Sequence, residues 1–394
     1  MDELIGSIIA RPDVAAARSW LEAHDEATID TQVVLTGIPA PTGDETQRGA
    51  WVANKLADIG LDEVRVDPIG NVTGCYGIGS GAGIVVAAHL DTVFDNRAIR
   101  VQRTGARVAA PGIGDNGRGL AAMLALAEAC VECGIDTTRP ITFVATVGEE
   151  GHGDLRGAKH LFADPTFRPD AFIALDGPGV ERIVHKATGS RRLRASWTGP
   201  GGHSWAAYGV ANPAHAAGAA IATIASVKVP SDPRGSLSVV RMGGGTALNT
   251  IPVEAWIELD IRAENEDVLA DLHTAVRDAL DASLARENSR RAPGTAPLHL
   301  QITPLGNRPS GETHSAHPLV QACLAATKAI GATPSLAAAS TDANIPIARG
   351  IPAVALGAGG KGGDAHLLTE WYENVNGPAG IIRALLVMLA VQKP

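Results

Sequence analysis

Three short apolar runs constrain this chain most: "GIVVAAHLD", "PITFVATVG" and "AFIALDG". Each is too short for a globular helix, and each is apolar at consecutive positions rather than at alternate ones. Such runs read as strands covered on both faces, and helical stretches among them, such as "GRGLAAMLALAEAC", imply a largely parallel sheet. In a sheet of that kind the carboxyl ends of the strands share one edge, where ligands bind. The polar residues that end these runs are His89 and Asp91, Glu149 and Glu150, and Asp176. Two adjacent carboxylates at the end of a core strand are costly unless a partner offsets their charge.

The same rhythm extends on either side. Helical stretches near 15–27 and 45–59 precede two short strands, "EVRVD" and "NVTGCYG". After "HKATGS" the pattern changes to strand, helix, strand, strand, helix, strand across about 189–305, the order of a ferredoxin-like unit. The first pattern then resumes with a helix near 318–330, a strand at "IPAVALG" and a helix near 378–391. The expected architecture is a discontinuous α/β domain, 1–188 and 307–394, whose mostly parallel sheet is flanked by helices. An inserted α+β domain of ferredoxin-like order, 189–306, interrupts it. A chain of 394 residues is long enough for two such cores.

Composition narrows the partners. The formal net charge of -9, with no Lys/Arg cluster, argues against nucleic acid or an anionic membrane and for a small solute. No run approaches the ~20 apolar residues of a membrane span, and "MDELIGSIIARPD" lacks the basic start of a secretory leader. The expectation is a cytoplasmic protein. Four cysteines are too few for a disulfide framework, and Cys130 and Cys133 lie in an apolar-periodic helix, where they read as packing residues.

Two further residues extend the strand-end set. Asp115 stands in the glycine-rich turn "APGIGDNGRG", and His366 follows the last strand in "GGKGGDAH". Singly, Asp115 reads as a helix cap, Asp176 as a turn acid and His366 as a loop histidine. Together they place like charges on one edge with few Lys or Arg nearby, a conflict that a pair of divalent cations resolves. Histidine with carboxylate suits zinc or a similar borderline metal. "GAGGKGG" lacks the G-K-[ST] ending of a phosphate loop and reads as a flexible wall beside His366.

These motifs resemble the co-catalytic zinc peptidases that include aminoacylase, glutamate carboxypeptidase, succinyl-diaminopimelate desuccinylase and peptidase T. The resemblance rests on H-x-D at His89 and Asp91, "GIGDN" at Asp115, "EE" at Glu149 and Glu150, "ALDG" at Asp176 and "GGDAH" at His366. It spans nearly the whole chain and implies two divalent metal ions, typically zinc, with the insert as a lid and dimerisation domain. It further implies that Asp115 bridges both metals, one also held by His89 and Asp176, the other by Glu150 and His366. Asp91 is then expected to accept a proton from the His89 ring and fix its tautomer. Glu149 is expected as general base, moving a proton from the attacking water to the leaving amine.

Within the insert, the resemblance assigns His203 of "GPGGHSW" to oxyanion stabilisation in the opposite subunit of a homodimer, and Asn249 of "GGGTALNTIP" to substrate contact. Arg262 ends a strand where relatives bind a substrate carboxylate; a solvated salt bridge is the competing reading. "STDANIPIARG", 340–350, resembles a segment near the substrate. The expected function is metal-dependent hydrolysis of an amide bond, with an exopeptidase on di- or tripeptides ahead of an N-acyl-amino-acid deacylase. A non-catalytic peptide-binding protein on the same scaffold is the alternative of another class.

Overall fold

A computed structural model describes residues 1–77, 83–95 and 98–392. The chain divides into two compact units, Met1–Ala187 with Glu312–Pro394, and Thr188–Gly311.

In the first unit the apolar runs form the centre of a mixed sheet. Its strands run in the order Asp62–Val66, Val72–Tyr76, Ile141–Thr146, Ile84–His89, Ala171–Leu175, Ala353–Leu356, Arg182–Ala187. The middle four, from Ile141–Thr146 to Ala353–Leu356, are mutually parallel, and antiparallel neighbours flank them. Both faces are covered. Along Ile84–His89, Ile84, Val86 and Ala88 enter one core and Val85 and Ala87 the other. Each fully buried Val or Ile of this kind contributes about 1.5–3 kcal/mol relative to exposure.

The helices Gly119–Glu132 and Pro378–Ala390 are apolar around nearly their whole circumference, so they sit inside the core rather than on its surface. Arg383 lies in the second of these helices and is fully buried. It donates to the carbonyls of Val180 and Gly357, the latter at 2.7 Å. Cys130 is buried in the helix Gly119–Glu132, Cys133 caps it, and both are free thiols, as packing residues should be.

Two local expectations fail. The stretch 15–27 is not one helix but the end of Pro12–Ala23 and the start of Asp25–Gly37. His24 makes the break, stacked on Trp20 at 4.0 Å with its Nδ1 against the Trp20 carbonyl at 2.8 Å. The glycine run before His366 is not a flexible wall either. Lys361–Gly363 is a strand paired with Trp371–Glu373, in a small sheet completed by Arg107–Ala109 and Gln102–Thr104.

The second unit has the strand order Gly235–Gly244, Glu254–Ala263, Gly189–Thr198, His299–Arg308, with every neighbouring pair antiparallel. In sequence order that is 2-3-1-4, the ferredoxin-like arrangement. Leu193, Ala195 and Trp197 alternate onto one face with Ile257, Leu259 and Ile261. There they share a core with Ala216 and Ala220 of the helix Pro213–Ala225 and with Leu272 and Val276 of Glu266–Ser289. Among the described residues, no helix is long and apolar enough to cross a membrane.

Candidate metal centre

Parallel register brings the strand ends to one edge of the first unit. His89 pairs with Thr146, and Ala87 pairs with Ala174, so the residues that follow Thr146 and Leu175 emerge beside His89. His89 Nδ1 donates to the Asp91 carbonyl at 3.0 Å, which turns Nε2 toward Asp115 Oδ1 at 3.0 Å and Asp176 Oδ1 at 3.9 Å. His366 Nε2 lies 3.2 Å from Asp115 Oδ2 and 2.9 Å from Glu150 Oε1. The two oxygens of Asp115 therefore face two different histidines.

Two ligand sets result, His89 with Asp115 and Asp176, and Asp115 with Glu150 and His366. The ligand atoms within each lie within 4.8 Å of one another. The carboxylate of Glu149 belongs to a third such group with His89 and Glu150, and it is 4% exposed. Three carboxylates and two imidazoles at these separations form a donor set that fits two divalent cations sharing Asp115.

The electrostatics state the same conflict. Burial and the charge of Asp115 push the Asp176 carboxyl up to about 7. His366, bonded to Asp115 and Glu150, is raised to about 10. Burial opposes protonation of His89, but Asp115 and Asp91 outweigh it and hold its pKa well above the ordinary imidazole range. Burial likewise opposes ionisation of Asp115, and the bonds from His366 and His89 outweigh it, leaving that carboxyl below its usual range. Protons on the two imidazoles thus stand where cations would.

Asp91 faces His89 with two oxygens, its carbonyl at 3.0 Å from Nδ1 and its carboxylate at 3.6 Å. The carboxylate also accepts the N–H groups of Glu149 at 2.9 Å and Glu150 at 3.0 Å, and the Thr42 hydroxyl at 2.9 Å. It thereby orients both glutamates. Arg48, fully buried, donates to the Leu90 carbonyl at 2.7 Å and braces the same turn. In the segment 340–350, Thr341, Asp342 and Asn344 are buried, and the Thr146 hydroxyl donates to Asp342 at the end of the strand Ile141–Thr146.

Sequence reasoning missed the residues that hold the Asp115 turn. Asn116 donates to the Leu175 carbonyl at 2.9 Å and accepts from Gly119 and Gly177, tying Asp115 to the strand that ends at Asp176. Gln32 donates to the Ile113 carbonyl at 2.7 Å. Glu370 accepts three N–H groups of the turn. The only sequence signal was an acid embedded in "LLTEWYE".

In the second unit, His203 and Asn249 come together. The pairs Gly202 with Ile251 and His203 with Thr250 form a two-residue ladder, and the Asn249 carbonyl accepts the Ser204 N–H at 2.8 Å. His203 Nδ1 accepts the Trp205 N–H at 3.2 Å, and the side chain is exposed. Arg262 lies apart from them on the strand Glu254–Ala263, paired with Asp260 at 2.8 Å.

Residues 85–390 match the model of Peptidase family M20/M25/M40. Succinyl-diaminopimelate desuccinylase of Corynebacterium glutamicum is 28% identical over 245 residues, covering 59% of this chain and 66% of that protein, just short of two thirds of its length. The structure of an aminopeptidase PepT from Bacillus cereus superposes with a TM-score of 0.74 at 22% identity, covering 93% of this chain and 98% of that one. A tripeptidase from Staphylococcus aureus gives 0.75 at 21% identity, covering 93% and 97%. Both share the fold described above.

Proposed function

The chain belongs to Peptidase family M20/M25/M40, and on that premise we propose that it is a di-metal hydrolase cleaving an amide bond in small peptides, an exopeptidase on di- or tripeptides. One observation carries the proposal: two ligand sets that share Asp115, with a buried acid, Glu149, beside them. His89 and Asp176 would hold one ion, Glu150 and His366 the other, with Asp115 shared between the two sets. Zinc is the expected metal from the mix of imidazole and carboxylate. Bound divalent ions supply Lewis acidity and bring the pKa of water toward about 7.

The chain's own residues do the rest. Glu149 takes a proton from the attacking water and delivers it to the departing nitrogen. Asp91 fixes Glu149 and Glu150 through their N–H groups, so base and ligand keep a constant spacing. His203, from the partner subunit of a homodimer, donates to the developing oxyanion, Asn249 contacts the substrate, and Arg262 binds its carboxylate. Exposed Val240 at 56% and Met242 at 68%, on the edge strand Gly235–Gly244, support a two-fold contact in the insert. A cytoplasmic location completes the reading.

The peptide preference rests on "GIGDN", "STDANIP" and "GGDAHLLTEWYE", which look like peptidase T. The similarity to a desuccinylase favours the second reading, an N-acyl-amino-acid deacylase. Hydrolysis of a dipeptide and tripeptide panel beside N-acetyl and N-succinyl amino acids separates them. Metal content and activity before and after chelation test the parent proposal. A protein that turns over nothing in the panel with two ions bound would instead be a binding protein on this scaffold.

A further inference from the structure

Glu370 takes no part in the chemistry above, yet its side chain is 1% exposed. The small sheet explains its direction. Trp371 pairs with Ala109, and the ladder extends one step as the Ala110 N–H donates to the Glu370 carbonyl at 3.0 Å. This register sets the Glu370 side chain against the turn that follows Ala110. There Oε2 accepts the Gly112 N–H at 2.7 Å, and Oε1 accepts those of Gly114 at 2.9 Å and Asp115 at 2.8 Å. The turn is shaped to allow it: Gly112 has φ +77, and a Cβ on Gly114 would lie 3.0 Å from Oε1.

We propose that Glu370 is a positioning residue for the metal pair. By gathering three N–H groups of the turn 112–115, it fixes the Asp115 carboxylate where one oxygen meets His89 and the other meets His366. The inference rests on the di-metal reading. Because both ligand sets share Asp115, a small rotation of its backbone misplaces a ligand of each ion at once. Glu370 also follows His366 by four residues, so one segment carries a ligand and the clamp on its neighbour.

The test uses the full chain, stripped of metal and titrated with Mn(II), with electron paramagnetic resonance reading whether two bound ions are exchange-coupled. The original protein should bind two coupled ions. In Glu370→Ala the second ion should bind about 10- to 100-fold more weakly, the range for lost outer ligand supports, and the coupling should weaken or vanish. Glu370→Gln should fall between, because its amide oxygen can keep the Gly114 and Asp115 bonds while its NH2 opposes the Gly112 N–H. Gly114→Ala presses on the same contact from the other side and should resemble Glu370→Ala. If Glu370→Ala does not fold, the two gentler variants carry the test.

A merely structural residue would lower the melting temperature of the metal-free chain and leave the coupling intact at saturating Mn(II). Intact coupling and affinity in the folded variants would overturn the proposal alone. An original protein that never forms a coupled pair would overturn the di-metal reading, and this inference with it.

Discussion

Around Asp115 the acids and His89 are buried or half-buried, His366 is 52% exposed, and acids and imidazoles hold one another. Around His203, in the insert, the ring is exposed, and its recorded partners are backbone N–H groups of its own turn. In the first region three of the five candidate ligands are held from outside the set, Asp115 by Glu370, Glu150 by Asp91 and His89 by the Asp91 carbonyl. The second offers a hydrogen-bond donor on a two-residue ladder, flanked by Trp205 at 87% and Tyr208 at 89% exposure. Buried charge has to be paired, whereas an exposed donor beside exposed aromatics is open to another surface.

Substitutions can break that comparison. The largest effect is expected from Glu149→Gln, which removes the proton carrier and leaves every ligand in place. Turnover should fall about 100- to 10,000-fold with both metals retained. Elemental analysis beside turnover checks it, and a metal-free or fully active variant contradicts the division of roles between Glu149 and Glu150.

Next is His203→Ala, for which a loss of about 100- to 1,000-fold in turnover is expected at unchanged metal content. If the residue acts across a dimer, mixing it with Glu149→Gln should restore activity, because a hybrid has one site with an intact Glu149 and a His203 from its neighbour. Confirmed subunit exchange with no recovery, or an active monomer, rules out action across the dimer.

How far these regions were legible beforehand differs in the same way. The strands Ile84–His89, Ile141–Thr146 and Ala171–Leu175 were readable because burial on both faces leaves an unbroken apolar run. Those strands bring His89, Asp176 and the two glutamates to one edge, whereas Asp115 and His366, on turns, took their ligand roles from the family resemblance. The helix break at His24 was not readable, because a ring stacked on Trp20 leaves no mark on the periodicity. The strands Lys361–Gly363 and Arg107–Ala109 are three residues each, glycine-rich or partly exposed, too short to show a period. Glu370 was hidden for a further reason: its partners are backbone groups 255 to 258 residues away, which no side-chain motif announces.

A smaller effect concerns protons in the cage. Metal-free His366 holds its proton up to about 10 and His89 well above the ordinary range, so at pH 7 both imidazoles are charged. Metal would displace those protons and the part-held proton of Asp176, whose pKa is pushed up to about 7, so uptake of two ions should release about two to three of them. Apparent metal affinity should therefore rise with pH through the neutral range. Titration in weak buffer with a pH indicator reads the release directly, and none at all would mean that the histidines do not ligate.

The smallest effect is expected at Arg262, where the two readings made from sequence still compete. Its guanidinium pairs with Asp260 at 2.8 Å and its side chain is 41% exposed, while Arg192 lies 3.4 Å from the same carboxylate. Because Arg192 would still face Asp260, Arg262→Ala should change stability by less than about 1 kcal/mol. Binding is the sharper probe. A substrate carboxylate is the same kind of acceptor as Asp260, and Arg192 keeps Asp260 paired when Arg262 turns away, so the new bond adds to binding. The variant should then raise KM about tenfold, near the lower end for a bond to a charged group, with kcat unchanged. The rise should appear for a dipeptide and not for its C-terminal amide, which lacks the carboxylate. An equal KM change for both, or none, would leave Arg262 as a solvated ion pair of the insert.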